Sequence, residues 1–326
     1  MNSNLSIASR SFVFGPVPSR RLGRSLGIDL LPCKMCSFDC IYCECGPTEH
    51  LTVKRFSEPS PNEVLSSLKA FVEAFQPAFD VITFSGSGEP TLYEPIGDLI
   101  DLIKRDFPSR PVAVLTNGSL FMDPAVRASI LRANIVSPSL DAPDEALFRK
   151  INRPHPSLTW EGLVEGLIAF RKEYRGIYRL EVLLIKNIND SHEHLERIAN
   201  VASRINPDVV DLTTIARPGT VSSLQGLSRE EMEKCADFFE DVPCSIVGGY
   251  LKKGVAQERK ISPQMLETQI VNLLARRPCS LDDLADSLGV PSRDASQILS
   301  RLTAERKVLA QEVNGKIFYS LASSLP

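Results

Sequence analysis

The sequence lacks any apolar run that approaches the roughly 20 residues of a membrane-spanning helix. Its first residues are polar and uncharged, without the apolar core of a secretion signal behind them. The net charge of −3 gives no global argument for a nucleic-acid partner. Histidine is scarce, and His50, His155, His192 and His194 show no metal-binding spacing. These absences predict a cytoplasmic protein with reduced thiols and no membrane partner.

Cysteine, by contrast, is concentrated, since five of the eight cysteines lie within residues 33–45. Such a concentration is typical of a disulfide-rich secreted fold or of a metal-binding loop, and the missing secretion signal favours the metal. Three of them read Cys36-x-x-x-Cys40-x-x-Cys43. This spacing suits an iron–sulfur cluster with one iron left open. A redox cluster with a distant fourth cysteine and a zinc loop are the alternatives.

Strand and helix patterns alternate six times, at the spacing of parallel β/α units. The predicted strands cover residues 25–31, 79–84, 111–115, 134–141, 179–185 and 208–215. The predicted helices cover residues 60–75, 95–107, 123–133, 159–174, 192–206 and 228–241. Each strand ends in a polar or glycine-containing turn, where barrel active sites lie. The pattern predicts a partial (β/α)6 TIM-type barrel.

The composition changes near Gly254, where three further helices are predicted over residues 264–275, 281–288 and 292–306. An Asn314-Gly315 hairpin signal follows them. This order predicts a barrel over residues 1–255 and a small winged-helix domain over residues 256–326.

The predicted winged helix is electrically balanced, with seven cations and seven anions within residues 262–326. A neutral module has little with which to bind phosphates. Arg293 and Arg301 on its third helix leave nucleic acid open as a partner. A docking role toward a macromolecular substrate, tRNA or protein, is favoured over a transcriptional role.

The cysteine triad, with Tyr42 just before its last cysteine, resembles the signature of the radical SAM superfamily. Gly86-Ser87-Gly88-Glu89-Pro90 resembles the Gly-Gly-Glu motif of that family, although Ser87 stands where glycine is more frequent. The resemblance implies a 4Fe–4S cluster held by Cys36, Cys40 and Cys43. It also implies that the amine and carboxylate of S-adenosylmethionine (SAM) chelate the open iron.

Further SAM contacts are implied by the same resemblance. Tyr42 would lie against the adenine, and Glu89 with the backbone before it would receive the methionine ammonium. Asn117 ends the third predicted strand. The fourth strand, ending at Ser139 and Asp141, would supply a polar contact to the ribose or the carboxylate. The implied cofactor-binding set is Tyr42, Gly86, Ser87, Gly88, Glu89, Asn117, Ser139 and Asp141.

Residues 18–23, 139–143, 150–154 and 181–190 resemble the wyosine-synthase type of this superfamily, a tRNA-modifying branch. The chain departs from that branch in its winged helix and in lacking an evident second cluster. The implied function is reductive cleavage of SAM to a 5′-deoxyadenosyl radical that modifies a substrate, first of all a tRNA base. The reductant would be a flavodoxin or ferredoxin. The alternatives are a peptide-modifying, protein-modifying or small-molecule enzyme, or a non-catalytic iron–sulfur regulator of DNA.

The remaining cysteines allow two interpretations. Cys33 and Cys45 flank the triad and either join three remote cysteines in an auxiliary cluster or are ordinary thiols. The remote ones are Cys235, Cys244 and Cys279. Ordinary thiols are favoured, because the remote cysteines show no ligand spacing.

Two groups of cationic residues also allow more than one interpretation. Arg20, Arg21 and Arg24 form either a solvated turn or an anion site beside the cluster. Lys150 and Lys186 are predicted to be surface lysines. The wyosine-type resemblance offers the competing role of a lysine that forms a Schiff base with pyruvate.

Overall fold

The computed structural model describes residues 11–19, 21–247, 262–313 and 315–322. Arg20, the predicted domain boundary at residues 255 and 256, and Asn314 lie outside these ranges. The strands are β1 (Val13–Ser19), β2 (Gly23–Ile28), β3 (Met35–Cys36), β4 (His50–Leu51), β5 (Val81–Phe84), β6 (Val112–Thr116), β7 (Ile135–Pro138), β8 (Ile177–Leu184), β9 (Val209–Thr214), β10 (Cys244–Ile246), β11 (Val308–Val313) and β12 (Lys316–Leu321).

Ten α-helices lie between and after these strands in the described part of the chain. They are α1 (Pro61–Phe75), α2 (Ile96–Asp106), α3 (Pro124–Ile130), α4 (Glu145–Ile151), α5 (Trp160–Glu173), α6 (His192–Ile205), α7 (Arg229–Ala236), α8 (Pro263–Leu274), α9 (Leu281–Leu288) and α10 (Ser292–Ala304). Within the described ranges, no helix is long and apolar enough to cross a membrane.

The central sheet has eight strands in the order β1-β2-β5-β6-β7-β8-β9-β10. The six predicted strands, β2 and β5 to β9, are parallel neighbours, which confirms the partial (β/α)6 barrel. Every residue of β5 is buried, as expected for a central strand of a parallel sheet.

Two edge strands were not predicted. β10 pairs with β9 in parallel, and β1 pairs with β2 in antiparallel fashion. β1 contains Pro16 and Pro18, which interrupt a strand pattern and are tolerated only where one side of the strand is unpaired. These prolines explain why the sequence pattern did not predict β1. The strand β10 was missed because it is only three residues long.

Local sequence signals explain the helix that follows the cysteine loop. Ser60 caps α1 and forms a capping box with Glu63, in which the Glu63 carboxylate accepts the Ser60 N–H at 2.9 Å. The buried face of α1 consists of Val64, Leu65, Leu68 and Phe71. The spacing of these four residues is typical of a helix that packs one apolar face on a core.

Helices α8 to α10 and the β11–β12 hairpin have a hydrophobic cluster of their own, and we call residues 262–322 the C-terminal module. The order of its elements matches the expected one, while its identity as a winged helix stays a prediction. Phe14 of β1 belongs to this cluster and Val17 packs against it. The edge strand β1 is thus where the module meets the barrel.

Phe170 provides a test of the barrel core. Its buried ring lies 4.6 Å from Phe121 and 4.9 Å from Tyr174, centroid to centroid. We expect Phe170→Ala to lower the free energy of unfolding by about 3–5 kcal/mol, because it removes a buried aromatic and leaves a cavity. Urea unfolding followed by the fluorescence of Trp160, the one tryptophan in the sequence, measures this.

The matched control is Met122→Ala, since the Met122 side chain is 52% exposed. We expect a change of no more than about 0.5 kcal/mol there. Equal effects of the two substitutions would contradict the packing described.

Candidate functional site

The residues predicted to act together meet at the carboxyl end of the sheet. The cysteine loop follows β2, residues 85–91 follow β5, Asn117 follows β6, and Asp141 follows β7. The Glu89 N–H donates to the Met35 carbonyl at 3.2 Å, which connects the turn after β5 to the cysteine loop. Parallel strands end at a common edge, and that edge gathers these turns.

Each cysteine of the triad has a side-chain N–H donor directed at its sulfur. The Lys34 Nζ lies 2.8 Å from Cys43 Sγ. Asn117 Nδ2 donates to Cys36 Sγ and Asn152 Nδ2 donates to Cys40 Sγ, both at 3.6 Å. Donors of this kind stabilise metal-bound thiolates and set their electronic properties.

Lys34 is a buried cation, only 7% exposed. Burial alone would lower the pKa of Lys34, but the sulfurs of Cys45, Cys43 and Cys36 raise it above its usual value. The Cys45 thiol and the Lys34 ammonium in turn lower the pKa of Cys43. Lys34 therefore supplies positive charge where the loop concentrates cysteine sulfurs.

Burial favours the protonated thiol at the other two cysteines of the triad. Burial raises the pKa of Cys36 to about 12, and it raises the pKa of Cys40 as well. A thiol that coordinates a metal ion gives up its proton outright. Three thiols on one loop, each with an outer donor, are a donor set that fits an iron–sulfur cluster.

The three sulfurs of the triad are not among the described ligand atoms that lie within 4.8 Å of one another. Tetrahedral Zn–S bonds of about 2.3 Å hold sulfurs about 3.8 Å apart. Among the described residues, the ligand atoms that converge within 4.8 Å belong instead to Cys33, Glu49 and His50. Of this group only His50 lies on a strand, β4, and the sequence pattern gives it no metal-binding role.

At two positions after β5, neighbouring atoms lie so close to the backbone that only glycine fits. Gly86 has φ of +141°, and a side chain there would meet the Asp29 carboxyl group within 2.7 Å. A side chain at Gly88 would overlap the Met35 carbonyl oxygen. Ser87 between them donates its hydroxyl to Asp29 Oδ2 at 2.7 Å, which gives the departure from the family motif a structural role.

Glu89 is buried and ties three turns together. Its Oε1 accepts the Thr91 N–H and both the Thr91 and the Thr116 hydroxyls, at 2.6–3.0 Å. Its Oε2 accepts one hydrogen bond, from the Asn117 N–H at 2.6 Å. Burial raises the pKa of the Glu89 carboxyl group in spite of these donors.

Tyr42 and Asp141, predicted as separate cofactor contacts, are joined. The Tyr42 hydroxyl donates to Asp141 Oδ2 at 2.5 Å, and Asn152 Nδ2 donates to the same oxygen at 2.9 Å. Burial raises the pKa of Asp141 to about 6. Ser139, which was predicted as a cofactor contact together with Asp141, forms a backbone β-bridge to Glu181 of β8.

A cavity of about 340 Å³ opens beside this cluster. It is lined by Tyr42, Cys43, Cys45 and Gly86 from the barrel side and by Arg276 and Arg277 of the C-terminal module. A second cavity of about 350 Å³ shares Glu44, Cys45, Arg276 and Arg277 with the first. The module therefore forms one wall of the space next to the cysteine loop.

Several residues at the site escaped sequence reasoning. Lys34, Asn152, Asp29 and Arg276 carried no predicted role, although Asn152 lies within a segment that resembles the wyosine type. Cys45 was favoured as an ordinary thiol, yet its Sγ donates to the Gly86 carbonyl at 3.2 Å. The one local signal that could have identified such residues is a polar side chain close to the ligand motif, as Lys34 is.

The predicted cationic groups are paired with carboxylates. Arg21 Nη1 lies 2.8 Å from Glu181 Oε2, and Arg24 is hydrogen-bonded to Asp80. Lys186 Nζ lies 2.6 Å from Glu231 Oε1. Lys150 is exposed, as expected of a surface lysine.

The three remote cysteines do not assemble. Cys235 is buried in the barrel core and Cys244 packs against that core, whereas Cys279 is buried in the cluster of the C-terminal module. All eight cysteines are free thiols.

Comparison with known proteins gives a family match over half of the chain. A model described as the radical SAM superfamily matches residues 30–199. A protein named GTPase Obg from Brachyspira hyodysenteriae is 40% identical over 314 residues, which make up 95% of this chain and 45% of that protein. The chain thus spans less than half the length of that relative. A UPF0026 protein from Methanocaldococcus jannaschii is 33% identical over 310 residues, 95% of each chain.

A solved structure shares the fold. TYW1, solved with a lysine–pyruvate adduct bound, superposes with a TM-score of 0.53 at 19% identity. The match covers 71% of this chain and 76% of that one.

Lys34 allows a test of the charge arrangement. We expect Lys34→Met to make the reduction potential of the reconstituted cluster more negative by about 60–130 mV. A hydrogen bond to a charged group contributes about 1.5–3 kcal/mol, and 59 mV corresponds to a tenfold change for one electron. A redox titration monitored by electron paramagnetic resonance measures this shift.

The control for that titration is Lys54→Met, because Lys54 is exposed. An unchanged potential in a Lys34→Met protein with full iron content would contradict the arrangement.

Proposed function

This chain belongs to the radical SAM superfamily, its cofactors are a 4Fe–4S cluster and SAM, and we propose that it modifies a substrate bound between the barrel mouth and the C-terminal module. When bound and reduced, the cluster supplies the electron that splits SAM into methionine and a 5′-deoxyadenosyl radical. The protein's task is to hold the reactants in register and to exclude water and competing hydrogen donors.

The observation that carries the proposal is the set of three N–H donors on the three thiol sulfurs. Cys36, Cys40 and Cys43 would be the cluster ligands, leaving one iron for SAM. A purely structural loop has no need of a buried lysine 2.8 Å from one thiol. The cost of burying the Lys34 ammonium is offset when it faces thiolates.

The SAM contacts that we propose lie around this loop. Among the described residues, Glu89 Oε2 accepts a single hydrogen bond, so it retains capacity for the methionine ammonium. The backbone of residues 86–88 would lie beside it. Tyr42, with its hydroxyl held by Asp141, would place its ring against the adenine. Asn117, Ser139 and Asp141 would contribute polar contacts to the rest of the cofactor.

Anaerobic reconstitution with iron and sulfide tests this function. After addition of dithionite and SAM, we expect methionine and 5′-deoxyadenosine in equal amounts, measured by liquid chromatography with mass detection. A protein that holds its cluster and forms neither product, with or without candidate substrates, would refute the proposal.

The ligand assignment has its own control pair. Cys40→Ala should lose the complete cluster and all SAM cleavage, because one of three ligands is missing. Cys244→Ala, which removes a partly buried thiol packed against the barrel core, should retain both. A full cluster in Cys40→Ala would contradict the assignment.

For the substrate, we propose a tRNA base, as the wyosine-type resemblance implies. Support comes from Arg277, which is half-buried and lines both cavities. In the described part of the chain, no carboxylate lies within ion-pair distance of its guanidinium, although its charge helps to lower the pKa of Asp283, and we expect it to contact a phosphate. Helix α10 is a poorer candidate, because Arg293 and Arg301 are paired with Asp294 and Glu267.

Mass spectrometry of nucleosides in total tRNA tests the substrate. Deleting the gene should remove one modified nucleoside, and re-expression should restore it. Arg277→Gln should weaken binding of that tRNA about tenfold, because a charged hydrogen bond to phosphate is lost. Arg175→Gln, at an exposed position of the barrel, is the control.

Unchanged tRNA together with a changed peptide or small metabolite would refute the tRNA proposal in favour of another substrate class.

A regulator of DNA is less well supported, because a sensor does not need the buried Glu89 turn that would bind SAM. We place the enzyme in the cytoplasm, where thiols stay reduced and a flavodoxin or ferredoxin supplies electrons.

A further inference from the structure

Arg276, at the end of α8, reaches from the C-terminal module into the barrel. It is 4% exposed, and its Nε lies 3.2 Å from Oδ2 of Asp29, which is 3% exposed. Its Nη2 donates to the Ser11 carbonyl at 2.6 Å, and its guanidinium lies 4.8 Å from the centre of the Phe14 ring. Both charges of the pair are therefore buried at the junction of module and barrel.

Asp29 is also hydrogen-bonded to the turn after β5. Its Oδ2 accepts the Ser87 hydroxyl at 2.7 Å, and its Oδ1 accepts the Ser87 N–H at 3.2 Å. Gly86 packs so closely on the Asp29 carboxyl group that a side chain would not fit. One carboxylate thus joins Arg276 of the module to the turn that precedes Glu89.

The carboxylate depends on the cation. A buried carboxylate without its counter-ion either takes up a proton or moves toward water. Either change alters the acceptor that holds Ser87, and with it the position of the Ser87 backbone. The conformation of the turn is thereby tied to the docking of the module.

We propose that Arg276 is a positioning residue for SAM binding, so that the C-terminal module is an integral part of the SAM site. The inference rests on the proposed function, in which residues 86–89 bind the methionine group of SAM. Arg276 acts through Asp29 and Ser87. By thermodynamic reciprocity, SAM binding must also tighten the docking of the module.

A purely structural role for Arg276 makes a different prediction. In that case its loss would lower the stability of the whole chain and the iron content, while the folded, iron-loaded fraction would bind SAM normally. Coupling instead predicts weaker SAM binding in protein that retains its iron.

The test measures the dissociation constant of SAM by equilibrium dialysis on full-length protein reconstituted to equal iron content. We expect Arg276→Met to weaken binding about tenfold, within the range typical of coupled sites. Ser87→Ala should weaken it too, because it removes the hydroxyl that Asp29 accepts. Arg276→Lys should recover part of the loss, since it restores the charge.

Two comparisons make the test specific. Arg301→Met removes an ion pair to Glu267 inside the module and should leave SAM binding unchanged. The double variant Arg276→Met with Ser87→Ala should bind SAM no more weakly than the worse single variant, because both act through Asp29.

Hydrogen–deuterium exchange provides a readout independent of affinity. SAM should slow exchange in residues 273–281 of the wild-type protein, and Arg276→Met should abolish that protection. If Arg276→Met does not fold, Arg276→Lys and Ser87→Ala carry the same test.

Wild-type SAM affinity in iron-loaded Arg276→Met and Ser87→Ala would overturn the inference. Equal losses in Arg276→Met and Arg301→Met would overturn it as well, because they would indicate a general effect of the module. Failure of the wild-type protein itself to bind SAM would instead refute the proposed function.

Discussion

The structure depends on holding several thiols close together at a buried edge of a parallel sheet. A metal-bound triad there concentrates negative charge, which is unfavourable unless donors and cations face it. Lys34 supplies the cation, and Asn117 and Asn152 supply neutral N–H donors from β-strand and helix ends on either side. The donors come from three parts of the chain, so the loop is fully supported only when these parts have folded together.

Much of this arrangement was predictable because its signals are local. The capping box of Ser60 and Glu63 spans four residues, and the buried run of β5 is a nearly continuous apolar segment. The spacing of Cys36, Cys40 and Cys43 lies on one loop, and parallel strands bring the following turns to one edge. Helix and strand order, the barrel and the edge that carries the site follow from these features.

The remaining features are pairings between residues far apart in the chain. Asp29 and Arg276 are brought together by the docking of the C-terminal module, and no periodicity marks either as a partner of the other. Asn152 ends α4, a helix that was not predicted, and reaches Cys40 only after folding. Ser87 looked like a departure from a glycine motif, whereas its hydroxyl is what connects that turn to Asp29.

The central claim is that three cysteines hold a cluster whose remaining iron binds SAM. Mössbauer spectroscopy of protein reconstituted with ⁵⁷Fe tests it most directly. We expect about four irons per chain, one of which becomes spectroscopically distinct when SAM is added. A cluster whose irons are all unaffected by SAM, or a site that retains zinc in place of iron, would contradict it.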